Sequence, residues 1–303
     1  MQIYKKITYL LSTSVFLIIR FISLPFSPKM RTAFGRIYGW ISYKAMKRRR
    51  YIAIDNLTQA FPEKSAAEIE KIALGTFQNL GITFLELFAM STFSDDELHK
   101  MIDFGNGIDL INDVRKRGKG ILFLSGHFGN WELIAYSVGI FADKPITIVV
   151  KPQANESADK LLNEFRTARG NAVISMYNAA RKIIKVVRNG EIIALLADQA
   201  AAMEDIFVNF FGRPASTYKV VADLALRYEI PIIMGFAIRQ SDGTYKAELS
   251  ELVYSDIVAS DCNKADKIKA LTERHSHLLE DVIRKYPDQW AWMHKRWKHK
   301  PKV

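Results

Sequence analysis

The chain has 303 residues and 49% hydrophobic content, enough to bury one large core or a core with a small helical region beside it. Its one cysteine, Cys262, excludes an internal disulfide and any zinc cluster built from cysteines. The formal net charge of +11 predicts attraction to anions, so nucleic acid, acidic carrier proteins and the phosphate-bearing head groups of lipids are all candidate partners.

An apolar stretch near the N-terminus predicts a membrane anchor. Residues 7–19 carry no charge, and the apolar character resumes after Arg20. Lys5 and Lys6 precede the stretch as in a signal peptide, but no small-residue cleavage site follows it. A membrane span needs ~20 apolar residues. We therefore predict that residues 1–28 form an uncleaved anchor, either one marginal transmembrane helix or a helix in the membrane interface. The alternative is a buried N-terminal helix of a soluble protein.

Basic residues cluster at two places. Residues 44–50 (KAMKRRR) follow the apolar N-terminus, and the tail from His294 to Lys302 interleaves Trp297 with basic residues. Cations beside tryptophan are typical of the membrane interface, where the cation meets phosphate and the ring lies at head-group depth. The alternative is solubilising surface charge with a frayed tail.

Helical periodicity follows the anchor, over residues 29–60 and 66–90. In the second segment apolar residues recur at steps of three and four, which predicts an amphipathic helix with a wide buried face. Ser65 stands three residues before Glu68, and this spacing predicts a capping box at the helix start.

From Gly120 onward, predicted strands and helices alternate. The strands are 121–125, 146–150, 172–175, 192–197, 232–238 and 247–252. The helices are 131–141, 156–169, 179–188 and 217–228, with a final helix at 264–285. Apolar strands separated by helices favour a mostly parallel central sheet covered by helices on both faces. The predicted fold class is therefore α/β, with a helical N-terminal region and a membrane anchor.

No internal repeat or low-complexity linker divides the chain after the anchor. We therefore predict a single domain over residues 29–303. Its parts are a helical region at 29–100, an α/β core at 120–260, and a C-terminal helix and basic tail at 264–303.

The predicted strand-to-helix corner at residues 122–133 (LFLSGHFGNWEL) carries two groups suited to proton transfer. His127 lies in a loop bounded by Gly126 and Gly129, and Glu132 lies where the next helix begins. A histidine can act as a base near neutral pH, and a carboxylate that holds its other ring nitrogen fixes the tautomer and stabilises the imidazolium. The corner thus predicts a catalytic His127/Glu132 pair. The alternatives are a structural histidine and a glutamate that only complements the helix N-terminus.

Other polar residues follow other predicted strands, namely Lys151, Asp198 with Gln199, and Arg239 with Gln240. Ligands of parallel sheets gather beyond the carboxyl ends of the strands. The chain has no GxSxG elbow and no cysteine near this site, which favours direct acyl transfer to a hydroxyl over a covalent acyl-enzyme. The histidine spacings match no zinc site, and neither a metal nor a cofactor is predicted.

Residues 125–132 (SGHFGNWE) resemble the HxxxxE signature of the lipid A biosynthesis (lauroyl/myristoyl) acyltransferases, a family of the lysophospholipid acyltransferase superfamily. Further segments resemble other blocks of that family: DNL at 55–57, AFPE at 60–63, LADQ at 196–199, FFGRPA at 210–215, IPI at 230–232 and DQWAWMHKRW at 288–297. The resemblance covers nearly the whole chain, and the combination is far more specific than any single segment.

The resemblance implies an inner-membrane enzyme whose active site faces the cytoplasm. It would move a fatty acyl chain from acyl carrier protein to a hydroxyl of a lipid A precursor, with His127 as general base and Glu132 as its partner. Arginines in the region of Arg166 and Arg169 are also implied, and a planar guanidinium suits phosphate recognition. The predicted substrate-binding residues are Asn130, Lys151, Arg166, Arg169, Asp198 and Gln199.

The acceptor stays open, because the N-terminal half is a little short for the family and residues 177–181 differ in charge pattern. The same chemistry would serve relatives that acylate phosphatidylinositol mannosides, glycerol phosphate or amino-acid lipids. The alternatives from other classes are a thioester hydrolase and a non-catalytic protein that binds membranes or nucleic acid. No recognisable nucleic-acid motif supports the last, so the predicted partners are acyl carrier protein, a glycolipid and the membrane.

Overall fold

The computed structural model describes residues 9, 14, 17–21, 23–142, 144–201 and 206–301. The predicted anchor, residues 1–28, lies largely outside the described residues. Where that segment is described, the carbonyl oxygen of Tyr9 accepts a hydrogen bond from Asn155 Nδ2 at 3.1 Å. The Arg20 guanidinium lies 4.4 Å from the centroid of the Phe165 ring. The two contacts place Tyr9 and Arg20 beside the helix that carries Phe165 and the residue before its start.

Three helices form the N-terminal region: α1 (Pro28–Ala45), α2 (Lys47–Ala60) and α3 (Ala66–Ala89). The predicted capping box starts α3, because the Ser65 hydroxyl accepts from the Glu68 N–H and the Glu68 carboxylate accepts from the Ser65 N–H at 2.9 Å. Among the described residues, Ala66–Thr92 is the one helix long and apolar enough to cross a membrane, and 67% of its apolar window is buried inside the protein. In this structure, α3 is a core helix.

The remaining helices follow in chain order: α4 (Asp95–Met101), α5 (Gly107–Lys116), α6 (Trp131–Phe141), α7 (Glu156–Thr167), α8 (Ala179–Arg188), α9 (Val220–Tyr228), α10 (Ser255–Ala259) and α11 (Lys264–Lys285). The strands are β1 (Ile102–Asp103), β2 (Ile121–Ser125), β3 (Ile146–Val150), β4 (Ala172–Ser175), β5 (Ile192–Leu196), β6 (Ile206–Phe210), β7 (Arg213–Thr217), β8 (Ile232–Arg239) and β9 (Tyr245–Leu252). All six predicted strands and the predicted helices of the α/β region are present, with ends shifted by at most three residues.

A seven-stranded sheet in the described chain has the order β1-β9-β8-β2-β5-β3-β4, and only the β8–β9 pair is antiparallel. Side chains of β2 alternate between two cores: Leu122 and Leu124 face one hydrophobic cluster, and Ile121 and Phe123 face the other. The mostly parallel α/β sheet, buried on both faces, is therefore confirmed.

A hairpin of β6 and β7 lies outside this sheet and was not predicted from the sequence. Its two-residue turn, Phe211-Gly212, has positive φ at both positions, the geometry of a type I′ turn. Phenylalanine rarely occupies that conformation, and Pro214 within β7 argues against a strand. The Phe211 ring packs at 5.5 Å from the Trp292 ring, and this burial offsets the backbone strain.

Part of the basic tail, Arg296 and Trp297, packs into the protein interior. Arg296 is buried, and its guanidinium donates hydrogen bonds to the Ser216 carbonyl oxygen at 2.5 Å and to Thr217 Oγ1 at 2.6 Å. The Trp297 ring packs against the core, under the Arg213 guanidinium at 4.5 Å. The expectation of a membrane-facing tail is therefore wrong for these residues, because they tie the tail to β7.

Candidate active site

The loop between β2 and α6 holds His127 in a fixed backbone path. Gly129 has φ +55°, and a Cβ atom there would lie 1.8 Å from the carbonyl oxygen of Ala237, so only glycine fits. The Asn130 N–H donates to that same carbonyl oxygen at 3.3 Å. The loop therefore lies directly on the adjacent strand β8.

The C-terminal segment clamps this loop from another side. The Gly129 N–H donates to the Gln289 carbonyl oxygen at 2.9 Å, and the Ala291 N–H donates to the His127 carbonyl oxygen at 3.0 Å. Phe128 and Trp290 pair in an isolated antiparallel bridge. The histidine is thus positioned by residues more than 150 positions away in the sequence.

The carboxylate that contacts His127 is Asp198. Strands β2 and β5 are neighbours in parallel register, with Ser125 opposite Leu196, so the residues two positions beyond each end meet. Asp198 Oδ1 lies 2.8 Å from His127 Nδ1, and Asp198 Oδ2 accepts the His127 backbone N–H at 2.7 Å. Because a carboxylate only accepts, Nδ1 carries the proton and Nε2 is left with its lone pair.

Glu132 has a different partner from the expected one. Its carboxylate accepts two hydrogen bonds from Arg166, at 2.9 Å from Nε and 2.6 Å from Nη2. Among the described contacts, no hydrogen bond joins Glu132 to the imidazole. The expectation that Glu132 holds the ring nitrogen of His127 is corrected by this geometry: Glu132 projects from the first turn of α6 toward α7, whereas Asp198 approaches the ring from β5.

The charges around the imidazole raise its pKa and so stabilise the imidazolium that forms when Nε2 takes up a proton. Burial alone lowers the pKa of His127, but the charge and hydrogen bond of Asp198, with the charge of Glu132, raise it above the ordinary value of 6.5. Burial raises the pKa of Asp198, yet the interactions with His127 and the Trp290 indole lower it from 3.8 to about 2. The pKa of Glu132 is also lowered, because Arg166 outweighs the effect of burial. Both carboxylates are therefore ionised at neutral pH.

Two further side chains surround the ring of His127. Gln199 Nε2 lies 3.2 Å from His127 Nε2, so the amide donates to the free lone pair of the assigned tautomer. The Trp131 ring packs against the imidazole with 5.1 Å between centroids. The imidazole side chain is 23% exposed, so its outer edge remains accessible.

His127 lines a cavity of about 1080 Å³. Part of the wall is apolar and comes from β2, α6, β3 and β5: Phe123, Ile134, Ala135, Ile148, Ala194 and Leu196. Another part is basic: Lys151, Arg166, Arg181, Lys182 and Lys298. Glu132 is the one carboxylate among the described lining residues, and Arg166 neutralises it. The cavity therefore offers space for an apolar chain together with positive charge for an anionic group.

The predicted substrate-binding residues fall into two groups. Lys151, Arg166 and Gln199 line the cavity with His127 and Glu132. Asp198 lies behind the imidazole, Asn130 is buried, and Arg169 is held away from the cavity by an ion pair with Asp95. These last three are therefore not in a position to contact a substrate in the cavity.

Asn130 instead belongs to a buried network beneath the loop. Its Oδ1 caps α6 by accepting the Leu133 N–H at 2.9 Å, and its Nδ2 donates to Glu86 at 2.8 Å. Glu86 also accepts from Tyr245 at 2.5 Å and pairs with Arg239 at 3.3 Å. Arg239, expected among the residues beyond the strand ends, thus supports the loop from below.

Trp290 is the site residue that residue chemistry alone did not identify. Its indole Nε1 donates to Asp198 Oδ2 at 2.8 Å, so the aspartate accepts from both the loop and the C-terminal segment. The only sequence signal was the block at residues 288–297, which carried the family resemblance without a role for its tryptophan.

Comparison with known proteins identifies the family of the chain. The family model described as bacterial lipid A biosynthesis acyltransferase matches residues 2–299. The chain is 24% identical over 273 residues to the lipid A biosynthesis palmitoleoyltransferase of Escherichia coli (strain K12), covering 88% of this chain and 84% of that protein. It is 24% identical over 282 residues to the lauroyltransferase of the same strain, covering 92% and 88%.

A relative named for a different acceptor is the phosphatidylinositol mannoside acyltransferase of Mycobacterium tuberculosis (strain CDC 1551 / Oshkosh). It is 21% identical over 247 residues, which cover 80% of this chain and 75% of that protein. The family match, by contrast, extends over nearly all of the present sequence, including the histidine loop, the aspartate after β5 and the C-terminal clamp. The chain therefore belongs to the bacterial lipid A biosynthesis acyltransferase family and is an acyltransferase.

Proposed function

We propose that this acyltransferase moves a fatty acyl chain from the thioester of acyl carrier protein to a hydroxyl group of a lipid A precursor. The observation that carries the proposal is the position of His127: its Nε2 faces a cavity with apolar and basic walls, while Nδ1 is held by Asp198. A group held in this way takes a proton from a hydroxyl and passes it on.

The reaction then proceeds without a covalent enzyme intermediate. The acceptor hydroxyl displaces the Gln199 amide from His127 Nε2 and gives its proton to that nitrogen as its oxygen attacks the thioester carbonyl carbon. The carbon–sulfur bond breaks, and the imidazolium returns the proton to the departing thiolate. Asp198 stabilises the imidazolium between these two steps, as a carboxylate does in hydrolase triads.

Glu132 and Arg166 contribute charge from the same cavity. In this proposal the negative charge of Glu132 stabilises the imidazolium at a distance, in keeping with its upward effect on the pKa of His127. Arg166, fixed by Glu132 and by Asn163 Oδ1 at 3.1 Å, directs its charge at the oxyanion that forms on the carbonyl oxygen. Glu132 and Arg166 therefore act on the reaction through their charges, and neither needs to contact the imidazole.

The basic part of the wall supports anionic substrates. Lys151, Arg181, Lys182 and Lys298 lie around the cavity and are assigned to the phosphate groups of the acceptor and to the acidic surface of acyl carrier protein. We place the enzyme at the inner membrane with this site toward the cytoplasm, where a protein-borne acyl donor is present. The apolar segment at residues 1–28 would be its anchor.

Transfer by purified protein tests the proposal. We expect His127→Ala to lose at least 10³-fold in transfer from acyl carrier protein to a lipid A precursor, measured by mass spectrometry of the lipid product. His277→Ala, on the exposed face of α11, is the matched control and should retain wild-type transfer. Activity of His127→Ala within tenfold of wild type would reject the general-base role. Free fatty acid as the sole product would make the protein a thioester hydrolase.

The second candidate acceptor is another glycolipid, because a relative is a phosphatidylinositol mannoside acyltransferase. The chemistry at His127 would be unchanged, since only the groups that recognise the acceptor differ. Lipids from cells that lack the protein distinguish the two. Lipid A missing one acyl chain supports the first candidate, and unchanged lipid A with another glycolipid underacylated supports the second.

A further inference from the structure

The net charge of the protein resides in its N-terminal segment. Residues 1–54 contain eleven Lys and Arg residues and no Asp or Glu, since the first acidic residue is Asp55. The full chain has 43 basic and 32 acidic residues, so residues 55–303 carry 32 of each and are balanced. The excess of +11 is therefore a local property of one segment, which gives it long-range attraction to an anionic surface.

Helix α1 lies within this segment, and the face that packs against the protein contains glycines. A Cβ on Gly35 would lie 2.5 Å from Ile82 Cα, and a Cβ on Gly39 would lie 2.4 Å from Gln78 Cα. The backbones of α1 and α3 thus approach closely along this line, in the manner of small-residue helix pairs. Packing fixes the rotation of α1, and so determines which side chains face outward.

The outward side of α1 is apolar. Five large hydrophobic side chains on it are each between 42% and 52% exposed; we call them the α1 face: Met30, Phe34, Ile37, Trp40 and Ile41. Four of them recur at steps of four, three and four residues, which places them on one stripe of the helix. Exposed stripes of this kind on a protein surface mark contact with a partner or a membrane.

Basic side chains follow the α1 face in the sequence, at the end of α1 and the start of α2. Lys44, Lys47 and Arg48 are exposed, and among the described ion pairs none involves them, whereas Arg49 donates a hydrogen bond to the Met293 carbonyl oxygen at 3.1 Å. Tyr51, 72% exposed, follows them in α2. Aromatic side chains beside unpaired cations are the combination that meets lipid head groups, with the ring at the interface and the cation at the phosphate.

We propose that the α1 face, with the basic start of α2, docks on a bilayer that carries anionic phospholipids, as a second membrane contact in addition to the N-terminal anchor. At 1.5 Å per residue α1 is about 27 Å long, and it lies in the membrane plane with its apolar side chains about 5–10 Å deep. The positive charge of residues 1–54 favours an anionic lipid surface as the partner of the α1 face. A second copy of the chain is disfavoured, because two such segments would repel each other. This inference deepens the proposed membrane association and rests on it.

Environment-sensitive labels on full-length protein test the docking. In a Cys262→Ser background, a fluorophore at Ile41→Cys should be quenched by lipids with spin labels on the acyl chains, in vesicles of phosphatidylcholine and phosphatidylglycerol. The same fluorophore on native Cys262, which is exposed far along the chain before α11, is the control and should stay unquenched. Quenching at position 41 that falls with added salt or without phosphatidylglycerol supports the proposal.

Two variants separate charge from apolar contact. Lys47→Gln/Arg48→Gln should reduce the ratio of docked to undocked label by roughly thirtyfold, because each cation near an anionic surface strengthens binding about fivefold. Lys269→Gln/Lys285→Gln removes the same charge from α11 and should leave the ratio unchanged.

Ile37→Asp/Ile41→Asp should lower transfer to acceptor lipid in vesicles by at least tenfold and leave transfer to acceptor dispersed in detergent unchanged, since both side chains are about half exposed. Val253→Asp, at a site that is 65% exposed and directly follows β9, is its control.

The outcomes distinguish the inference from the function on which it rests. Protein that floats with the vesicles and transfers acyl chains, while the label at position 41 stays unquenched, overturns the docking and leaves the proposed function intact. A label shielded from water without lipid quenching means that the α1 face is covered by protein, either residues 1–22 or a second copy, and also overturns it. Protein that does not bind vesicles at all contradicts the proposed membrane association itself.

Discussion

Replacing Asp198 by asparagine should invert the tautomer of His127 while keeping the fold. Two donors, the His127 N–H and the Trp290 indole, both point at the Oδ2 position. The carbonyl oxygen of asparagine must take that position, because an NH₂ group there would face two donors. Its NH₂ group then faces His127 Nδ1, which must give up its proton. The proton moves to Nε2, and the nitrogen that faces the cavity can no longer accept one.

The loss of activity follows from two contributions. Removal of the Asp198 charge takes away an interaction that stabilises the imidazolium and that lowers the pKa of Asp198 from 3.8 to about 2 against the effect of burial. The inverted tautomer removes the base, and the same change in a Ser-His-Asp triad lowers kcat about 10⁴-fold. We therefore expect a fall in kcat of about 10³ to 10⁴ with a nearly unchanged melting temperature.

The assay is single-turnover transfer from acyl carrier protein as a function of pH. In the wild type, activity should fall as pH drops through the raised pKa of His127, because the protonated imidazole cannot accept the hydroxyl proton. The residual activity of Asp198→Asn should fall at lower pH, since the carboxylate that raised this pKa is gone and burial lowers it. Asp198→Ala is the contrasting variant, and it should also unfold more easily because it strands two buried donors. A kcat of Asp198→Asn above a tenth of wild type would refute the tautomer argument.

Two further substitutions test how the site is held. Gly129→Ala should cost about 3 kcal/mol or more in the free energy of unfolding, because its Cβ meets a backbone carbonyl oxygen at 1.8 Å. Gly118→Ala, with φ +78° and open space around the Cβ, should cost only about 1–2 kcal/mol, and equal costs would show that the clash is relieved. Glu132→Gln should cost about 1–3 kcal/mol, measured by chemical denaturation, because Arg166 loses its counter-charge while its side chain is 13% exposed in the cavity wall. Glu229→Gln, in an exposed ion pair, should cost at most about 1 kcal/mol, and an equal cost for Glu132→Gln would show that the Glu132–Arg166 pair stabilises the fold no more than a surface ion pair does.

The sheet could be predicted from the sequence because its strands are apolar on both faces and are separated by helices with clear periodicity. The β6–β7 hairpin could not, because its turn depends on Phe211 in a left-handed conformation. That conformation is stabilised by packing against Trp292, about eighty residues further along the chain. The local sequence disfavours this turn, and the tertiary contact of Phe211 stabilises it.

The site shows the same division between local and distant information. His127 and Asp198 could each be placed beyond a strand end, since the carboxyl ends of parallel strands share one edge of the sheet. They are direct partners only because β2 and β5 are adjacent in the sheet. The order of strands in a sheet cannot be predicted from the local periodicity of the sequence. The sequence predicted that His127 pairs with Glu132, the carboxylate five residues away in the chain. In the structure, Glu132 pairs with Arg166 instead.

Two carboxylates close to one imidazole acquire different roles through the cations that each of them faces. Among the described ion pairs, Asp198 has His127 as its partner, so its charge acts on the imidazole directly and fixes the tautomer. Glu132 is neutralised by Arg166 and influences the imidazole only at a distance. The HxxxxE spacing therefore places Glu132 in the first turn of α6, where it positions an arginine in the cavity. In the proposed mechanism, a glutamate at that spacing fixes a cation near the base, and the base itself is held by an aspartate 71 residues away.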